Sequence, residues 1–389
     1  MNISNENRLL LYCTQTRIPK ERLTQVRELV GRQLNWQNVL KSAYYQGIAP
    51  LLYRNLKDIR DIPPEVISAL KKAYYGNMAR NMYLYTELRR ILEAFGEKDL
   101  GVIVLKGAAL ARGVYGDIAL RPMGDIDLLV RKGDLDCAEQ IMSALGYMTQ
   151  LGNQSQEWYR QNHFHLSPYV APNRPVIVEI HHHIIDHPLQ IEIDKWWERA
   201  KEIEVANCRM LIPSAEDMLF HLCLHLFNHG YNNYLLRGLC DISETLRYYR
   251  DKFNWTEFQT EVSRYGFNKL VYSILYLVNK LYRVDSRLTN LLMCFEAFID
   301  LKLVSLIEKQ IFTEEGASPS IPSPLVQCLA ADKLRDKIRI LFDRIFPTRE
   351  VMSNRYSIPP SSRRVYFYYL ARPYKLFLRY GKYIFEMCR

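Results

Sequence analysis

The sequence predicts an α+β fold: a small mixed β-sheet flanked by helical segments on its N-terminal and C-terminal sides. Three observations carry this expectation. The first ninety-odd residues repeat apolar side chains at helical spacing. From about 98 to 212, short β-branched runs alternate with amphipathic stretches. Beyond that, long apolar segments of helical period return. A chain of 389 residues exceeds one compact domain. The boundaries read as 1–97 for an N-terminal helical domain, 98–212 for an α/β core, and 213–389 for a C-terminal helical domain with a basic, aromatic tail.

Each element has a local reason. NWQNVLKSAYYQGIAPLLYRNL is helix-periodic, and Asn35 before it suits a cap because its side-chain oxygen can accept from a first-turn amide. Pro63-Pro64 opens a long helix through ALKKAYYGNMARNMYLYTELRRILEAF, whose Tyr and Met stripe reads as core packing. GVIVL is a buried strand, KGAALARGVYG a helix ending at glycine, and DIDLLV the next strand. DLDCAEQIMSALGY is an amphipathic helix stopped by Gly146. HFHLSPY and PVIVEIHHHI read as strands, and KEIEVANCRMLIP as a hairpin turning at Ala206-Asn207. Ser214 and Asp217 resemble a capping box with Asp in place of Glu, ahead of the helix EDMLFHLCLHLFNHG. Helices fill 233–312, TEEGASPSIPSP reads as a loop, and the tail begins near Ser361.

A hydrophobic fraction of 48% and a charged fraction of 24% allow a sizeable core. The net charge of +10 attracts nucleotides, nucleic acid or anionic membrane, although many soluble enzymes carry as much. The start MNISNENRLLLYC lacks the cationic and apolar regions of a secretory signal. No stretch reaches the ~18 uninterrupted apolar residues of a membrane-spanning helix. The eight cysteines are scattered singly, without a CxxC pair. A cytoplasmic protein with reduced thiols is the expectation.

The chemistry concentrates in LKGAALARGVYGDIALRPMGDIDLLV. Side chains alternate on a strand, so Asp125 and Asp127 share a face while Ile126, Leu128 and Val130 enter the core. Two adjacent carboxylates repel each other unless a cation lies between them, and magnesium favours such oxygen ligands together with phosphate. In PVIVEIHH, Glu179 and His181 fall on the face opposite Val176, Val178 and Ile180, making Glu179 the third carboxylate. Three carboxylates holding two metals can clamp an in-line phosphoryl or nucleotidyl displacement. The bland alternatives are a solvated strand end for the aspartates and a buried salt bridge for Glu179.

The order LKG–AALA–Y–LRPMGDIDLLV followed by VEIHH resembles the nucleotidyltransferases of the DNA polymerase β-like superfamily. More narrowly it resembles a bacterial family marked by Leu-Lys-Gly and then Arg-Pro-x-x-Asp-x-Asp. Asn35-Trp36, the APLLY stretch, HLCLHLFNHG and LRGLCDI extend the likeness over nearly the whole chain. The resemblance implies that Asp125, Asp127 and Glu179 bind Mg2+, or Mn2+, and carry catalysis. It also implies an NTP co-substrate, with AMP moved from ATP to a hydroxyl or phosphate and pyrophosphate released. The acceptor is a small molecule, a peptide, a protein or an RNA end. One departure from the superfamily is the absent serine: its Gly-Ser helix start is here Lys106-Gly107-Ala108. Triphosphate contact then rests on backbone N–H groups at Gly107 and on Lys106.

Other residues have paired readings. Arg121 before Pro122 suits either triphosphate oxygens or a brace for Asp125. His181 can orient a carboxylate, touch nucleotide, assist proton transfer or serve structure, while His182 points to the opposite face. His221, His225 and His229 share a helical face, which reads as polar packing rather than a zinc site. Arg237 and Asp241 have the spacing of a helical ion pair, and the resemblance places His225 and Asp241 near the nucleotide cleft. The tail SSRRVYFYYLARPYKLFLRYGKYIFEMCR is expected to pack against a neighbouring domain, to break or kink at Pro373, and to offer a basic outer face to nucleic acid or a membrane surface. The rival reading of the whole is a nucleotide-binding or partner protein of the same fold without chemistry, in a toxin–antitoxin or biosynthetic assembly. A zinc hydrolase is a distant third.

Overall fold

The computed structural model describes residues 3–150, 154–185, 191–205, 208–228, 234–312, 327–329, 331–359 and 361–388. Helices α1 (Asn5–Cys13), α2 (Lys20–Val30), α3 (Trp36–Tyr45), α4 (Ala49–Leu56) and the 33-residue α5 (Pro64–Gly96) precede the sheet. The Asn35 side chain caps α3 by accepting from the Asn38 amide at 3.1 Å. The helix-periodic stretch forms two helices, α3 and α4. The break is Gly47, whose φ of +64° a side chain rarely tolerates.

The sheet has seven strands: β1 (Ile103–Val104), β2 (Ile126–Leu129), β3 (Met148–Thr149), β4 (Tyr169–Ala171), β5 (Arg174–His181), β6 (Lys201–Val205) and β7 (Cys208–Ile212). Their spatial order is β3-β4-β5-β2-β1-β7-β6. The pairs β2/β5 and β1/β7 are parallel and the others antiparallel, so the sheet is mixed. Central β2 is buried on both faces, as an apolar strand between neighbours requires. Helix α6 (Lys106–Gly113) links β1 to the loop before β2, and α7 (Leu135–Ala144) follows β2, ending near Gly146 at φ +77°. HFHLSPY is not a full strand. Only Tyr169 of it enters β4, and His165 makes an isolated antiparallel bridge to His181. The Ala206-Asn207 turn lies outside the described residues, but β6 and β7 pair as the expected hairpin.

Helices α8 (Gln156–Asn162) and α9 (Asp194–Arg199) lie between strands. Beyond the sheet, α10 (Ala215–Asn228), α11 (Leu235–Tyr248), α12 (Trp255–Tyr265), α13 (Asn268–Tyr282), α14 (Ser286–Cys294) and α15 (Leu301–Gln310) pack around α13, which is buried along most of its length. The Asp217 amide donates to Ser214 Oγ at 3.1 Å, the expected cap of α10. The TEEGASPSIPSP loop lies outside the described residues. Helices Leu334–Ile345, Arg349–Arg355 and Arg364–Cys388 complete the chain. The tail packs on one face only. Val365 is buried and Arg372 donates to the Arg344 carbonyl at 2.8 and 3.0 Å, whereas Tyr366, Phe367, Leu370, Tyr374, Phe377 and Leu378 face outwards. Nor does Pro373 end the helix, which runs through it.

The α6–β2 loop is pinned from two sides. From α5, Tyr74 donates to Asp117 at 2.7 Å, Asn77 to the Ala119 carbonyl at 2.6 Å, and Asn81 to the carbonyls of Ile118 and Arg121 at 2.5 and 2.9 Å. On the α11 side, Tyr115 donates to Asp241 at 2.7 Å. The first helical segment therefore holds the loop that carries Arg121 and Asp125.

Candidate active site

Strand register builds the site. In the parallel β2/β5 pair, Asp127 is the partner of Glu179, and Leu129 of His181. Val176, Val178 and Ile180 are buried in the core, which turns Glu179 and His181 to the other face. Strand β1 runs antiparallel to β2, and the Leu105 amide donates to the Asp127 carbonyl at 2.9 Å. Lys106 therefore leaves the sheet beside Asp127.

Ligand atoms of Asp127, Glu179 and His181 lie within 4.8 Å of one another, the group among the described residues that could hold an ion. Asp125, one residue before β2, lines the same cleft but is not part of that convergence. Asp127 Oδ1 is engaged twice: Lys106 Nζ donates at 2.7 Å and His181 Nε2 lies at 2.9 Å. His181 Nε2 is also 3.4 Å from Glu179 Oε2. Burial works against charge on Asp127, but Lys106 and His181 outweigh it and hold its pKa well below the carboxylate range. Burial likewise opposes the Lys106 charge, and the carboxylates of Asp127, Glu179 and Asp125 outweigh it and raise the pKa. Asp125 is pushed up to about 6, first by the neighbouring Asp127 charge and then by burial. An anionic centre under like-charge strain, with oxygen and imidazole donors converging, fits a divalent cation.

Lys106 and Arg121, expected at the phosphates, line the cleft but are engaged by side chains of the protein itself. Lys106, with φ +44°, directs its ammonium to Asp127 rather than standing free beside a phosphate. Arg121 acts on Asp125 through its charge, but its hydrogen bonds go elsewhere. It pairs with Asp241 through Nε at 3.3 Å and Nη2 at 2.9 Å, because α11 presents that buried carboxylate directly across from it. A Cβ on Gly107 would come within 2.5 Å of Arg121 Nη1 and 3.0 Å of Met123 Cγ. Glycine at 107 thus lets Arg121 lie over the first turn of α6. The expected Arg237–Asp241 pair is also corrected. Asp241 is taken by Arg121 and Tyr115, and the Arg237 guanidinium sits 4.2 Å from the Tyr234 ring centroid.

These residues share one cleft of about 750 Å³ between α3–α5, the sheet and α10–α11, within the size range of ligand sites. Arg80, His225, Tyr234, Arg237 and Asp241 also line it. His221 and His225 do not join the convergent group, and His229 lies outside the described residues. His182 is buried beyond the end of β5.

Two residues beside the site escaped the sequence reading. His165 Nε2 is 3.8 Å from Glu179 Oε2, and the His163 and His165 rings lie 4.2 Å apart. Burial first, then His181, lowers the His165 pKa to about 4, leaving a neutral imidazole at the carboxylates. The HxH spacing around buried Phe164 is a usable signal, although the segment meets the sheet through the isolated His165–His181 bridge and not as a strand.

No curated protein and no solved structure matches the chain. A family described as an uncharacterised nucleotidyltransferase matches residues 32–283, which spans α3 to α13 and every residue of the cleft. The chain belongs to this nucleotidyltransferase family.

Proposed function

We propose that the cleft transfers a nucleoside monophosphate, AMP from ATP, to a hydroxyl or phosphate oxygen of an acceptor and releases pyrophosphate. The observation that supports this best is the register pairing of Asp127 with Glu179, which puts two carboxylates side by side above buried strands, with Asp125 in the same cleft. Asp125, Asp127 and Glu179, assisted by His181, would hold Mg2+ or Mn2+. Such an ion supplies charge neutralisation at the reacting phosphate oxygens and the leaving pyrophosphate. The acceptor oxygen would attack the α-phosphorus in line, the bond to the β-phosphate oxygen would break, and the acceptor proton would pass to the carboxylate cluster.

The protein side of this reading is positioning. The fixed α6–β2 loop holds Asp125 in place, and His181 orients Asp127 and Glu179. Lys106 neutralises Asp127, and a cation held by the carboxylates would leave its ammonium available to phosphate. Catalytic roles for Asp125, Asp127 and Glu179, and nucleotide contacts by Lys106, Gly107, Arg121 and His181, are parts of this proposal. The outward aromatic and basic tail helix is the proposed surface for a macromolecular acceptor.

A second reading, a nucleotide-binding protein without chemistry, draws on one observation: Asp127 Oδ1 is already satisfied by Lys106 and His181. Incubation with each NTP, labelled at the α-phosphate or at the γ-phosphate, with magnesium and pools of small molecules, peptides, proteins and RNA, separates the two. Transfer of the α label and not the γ label supports nucleotidyl transfer. Binding without transfer of either label supports the second reading.

A further inference from the structure

Within the cleft, the carboxylates are met by Lys106, and a second cationic group sits on α11. The groups that act most on Arg237 are Arg121, Asp241, Tyr234 and Tyr115. Arg121 connects the two regions, since it feels both Asp241 and Asp125. Here two guanidinium groups face one carboxylate. Asp241 spends its oxygens on Arg121 and Tyr115, and among the described residues no carboxylate pairs with Arg237. Burial and then Arg121 push the Arg237 pKa down to about 10, so it stays protonated at neutral pH, with Asp241 acting on its charge without pairing with it.

The guanidinium is also held in place. Its Cζ stands 4.2 Å from the Tyr234 ring centroid. At the α3–α4 turn a Cβ on Gly47 would lie 2.8 Å from Arg237 Nη1 and 3.3 Å from Tyr234 Cδ1. The bare glycine backbone and the tyrosine ring thus confine the guanidinium, which lines the cleft. Fixing a planar donor fork in advance removes part of the ordering cost of binding, and that fork matches a phosphoryl group.

We propose that Arg237, confined by Gly47 and Tyr234, is a binding subsite for a phosphate group, separate from the metal-site carboxylates. This rests on the nucleotidyl-transfer reading for its place in the reaction, but not for its chemistry. The phosphate belongs either to the acceptor or to the terminal end of the NTP, and one experiment tells them apart.

Wild-type protein and Arg237→Gln are titrated calorimetrically with inorganic phosphate, and separately with the α,β-methylene analogue of ATP and magnesium. Arg237→Lys and the melting temperatures serve as controls for charge and fold. The expected result is phosphate binding weakened about 10-fold or more in Arg237→Gln, the loss of a charge-assisted pair, and less in Arg237→Lys. If the nucleotide analogue binds both proteins equally, the phosphate comes from the acceptor. If it weakens in parallel, the phosphate is the nucleotide's own. Equal binding of phosphate and analogue to wild type and to a folded Arg237→Gln overturns the subsite. So does a wild type that binds no phosphate. Failure of wild type to bind the analogue, with Arg237-dependent phosphate binding retained, contradicts nucleotidyl transfer and leaves the subsite standing.

Discussion

Lys106 changes what a substitution at Asp127 can mean. The buried ammonium–carboxylate pair at 2.7 Å means that Asp127→Asn leaves a buried lysine without its partner, at about 3–5 kcal/mol. Loss of activity in that variant would not separate chemistry from folding. Glu179 is the cleaner probe, since its side chain is 19% exposed and, among the described residues, it forms ion pairs with His165 and His181 rather than with a buried lysine. Lys106→Met should lower the melting temperature of the metal-free protein and tighten Mn2+ binding, because the ion no longer competes for Asp127 Oδ1. Calorimetry with MnCl2 checks this, and weaker binding would contradict it. Asp125 gives a pH test. Its folded pKa of about 6 lies above its ordinary 3.8, so the folded state holds the proton more tightly. The associated stability is present below about 4 and is lost as pH rises towards 6. In EDTA, the melting temperature of wild type minus that of Asp125→Asn should fall across that interval. A difference that stays flat or rises would contradict the placement of Asp125 beside Asp127.

At the scale of elements, the alternation rule carried Asp127, Glu179 and His181 onto one face because Ile126, Leu128, Val178 and Ile180 between and beside them must go inward, and that much was readable from period alone. Gly47, Arg121 and Arg237 were not readable in the same way. What each side chain meets depends on how α3–α5 and α11 close over the sheet, and spacing along one helix says nothing about partners on another. Spacing even misled at Arg237 and Asp241, where a tertiary partner displaced the helical one. The tail shows a related limit: its aromatic period fixed a helix but not which face would be covered. The clamp between α5 and the α6–β2 loop is testable by Asn81→Ala. That change leaves the Ile118 and Arg121 carbonyls without their donor, at about 1–3 kcal/mol. Chemical denaturation should show this loss, and metal affinity should fall with it because Asp125 rides on the same loop. Unchanged stability would mean that the loop is held elsewhere.

Across the whole molecule, two helical segments close over one face of a mixed sheet, and the family match from 32 to 283 embraces both walls of the resulting cleft. No helix among the described residues is long and apolar enough to cross a membrane, and the last helix exposes Tyr366, Phe367, Leu370, Tyr374, Phe377 and Leu378. The division of labour proposed here has N-terminal helices fixing the loop, strands β2 and β5 presenting carboxylates, and α11 presenting the Arg237 cation. The central claim is that the carboxylates on the two strands perform nucleotidyl transfer with a divalent ion. Once an acceptor is found, the most direct test is single-turnover transfer of α-labelled nucleotide by wild type and by Glu179→Gln, with equal melting temperatures as the condition for comparison. The account predicts a rate at least about 100-fold lower in the variant, the scale of losing one preorganised electrostatic group, at every magnesium concentration. Transfer at the wild-type rate by a folded Glu179→Gln would contradict it.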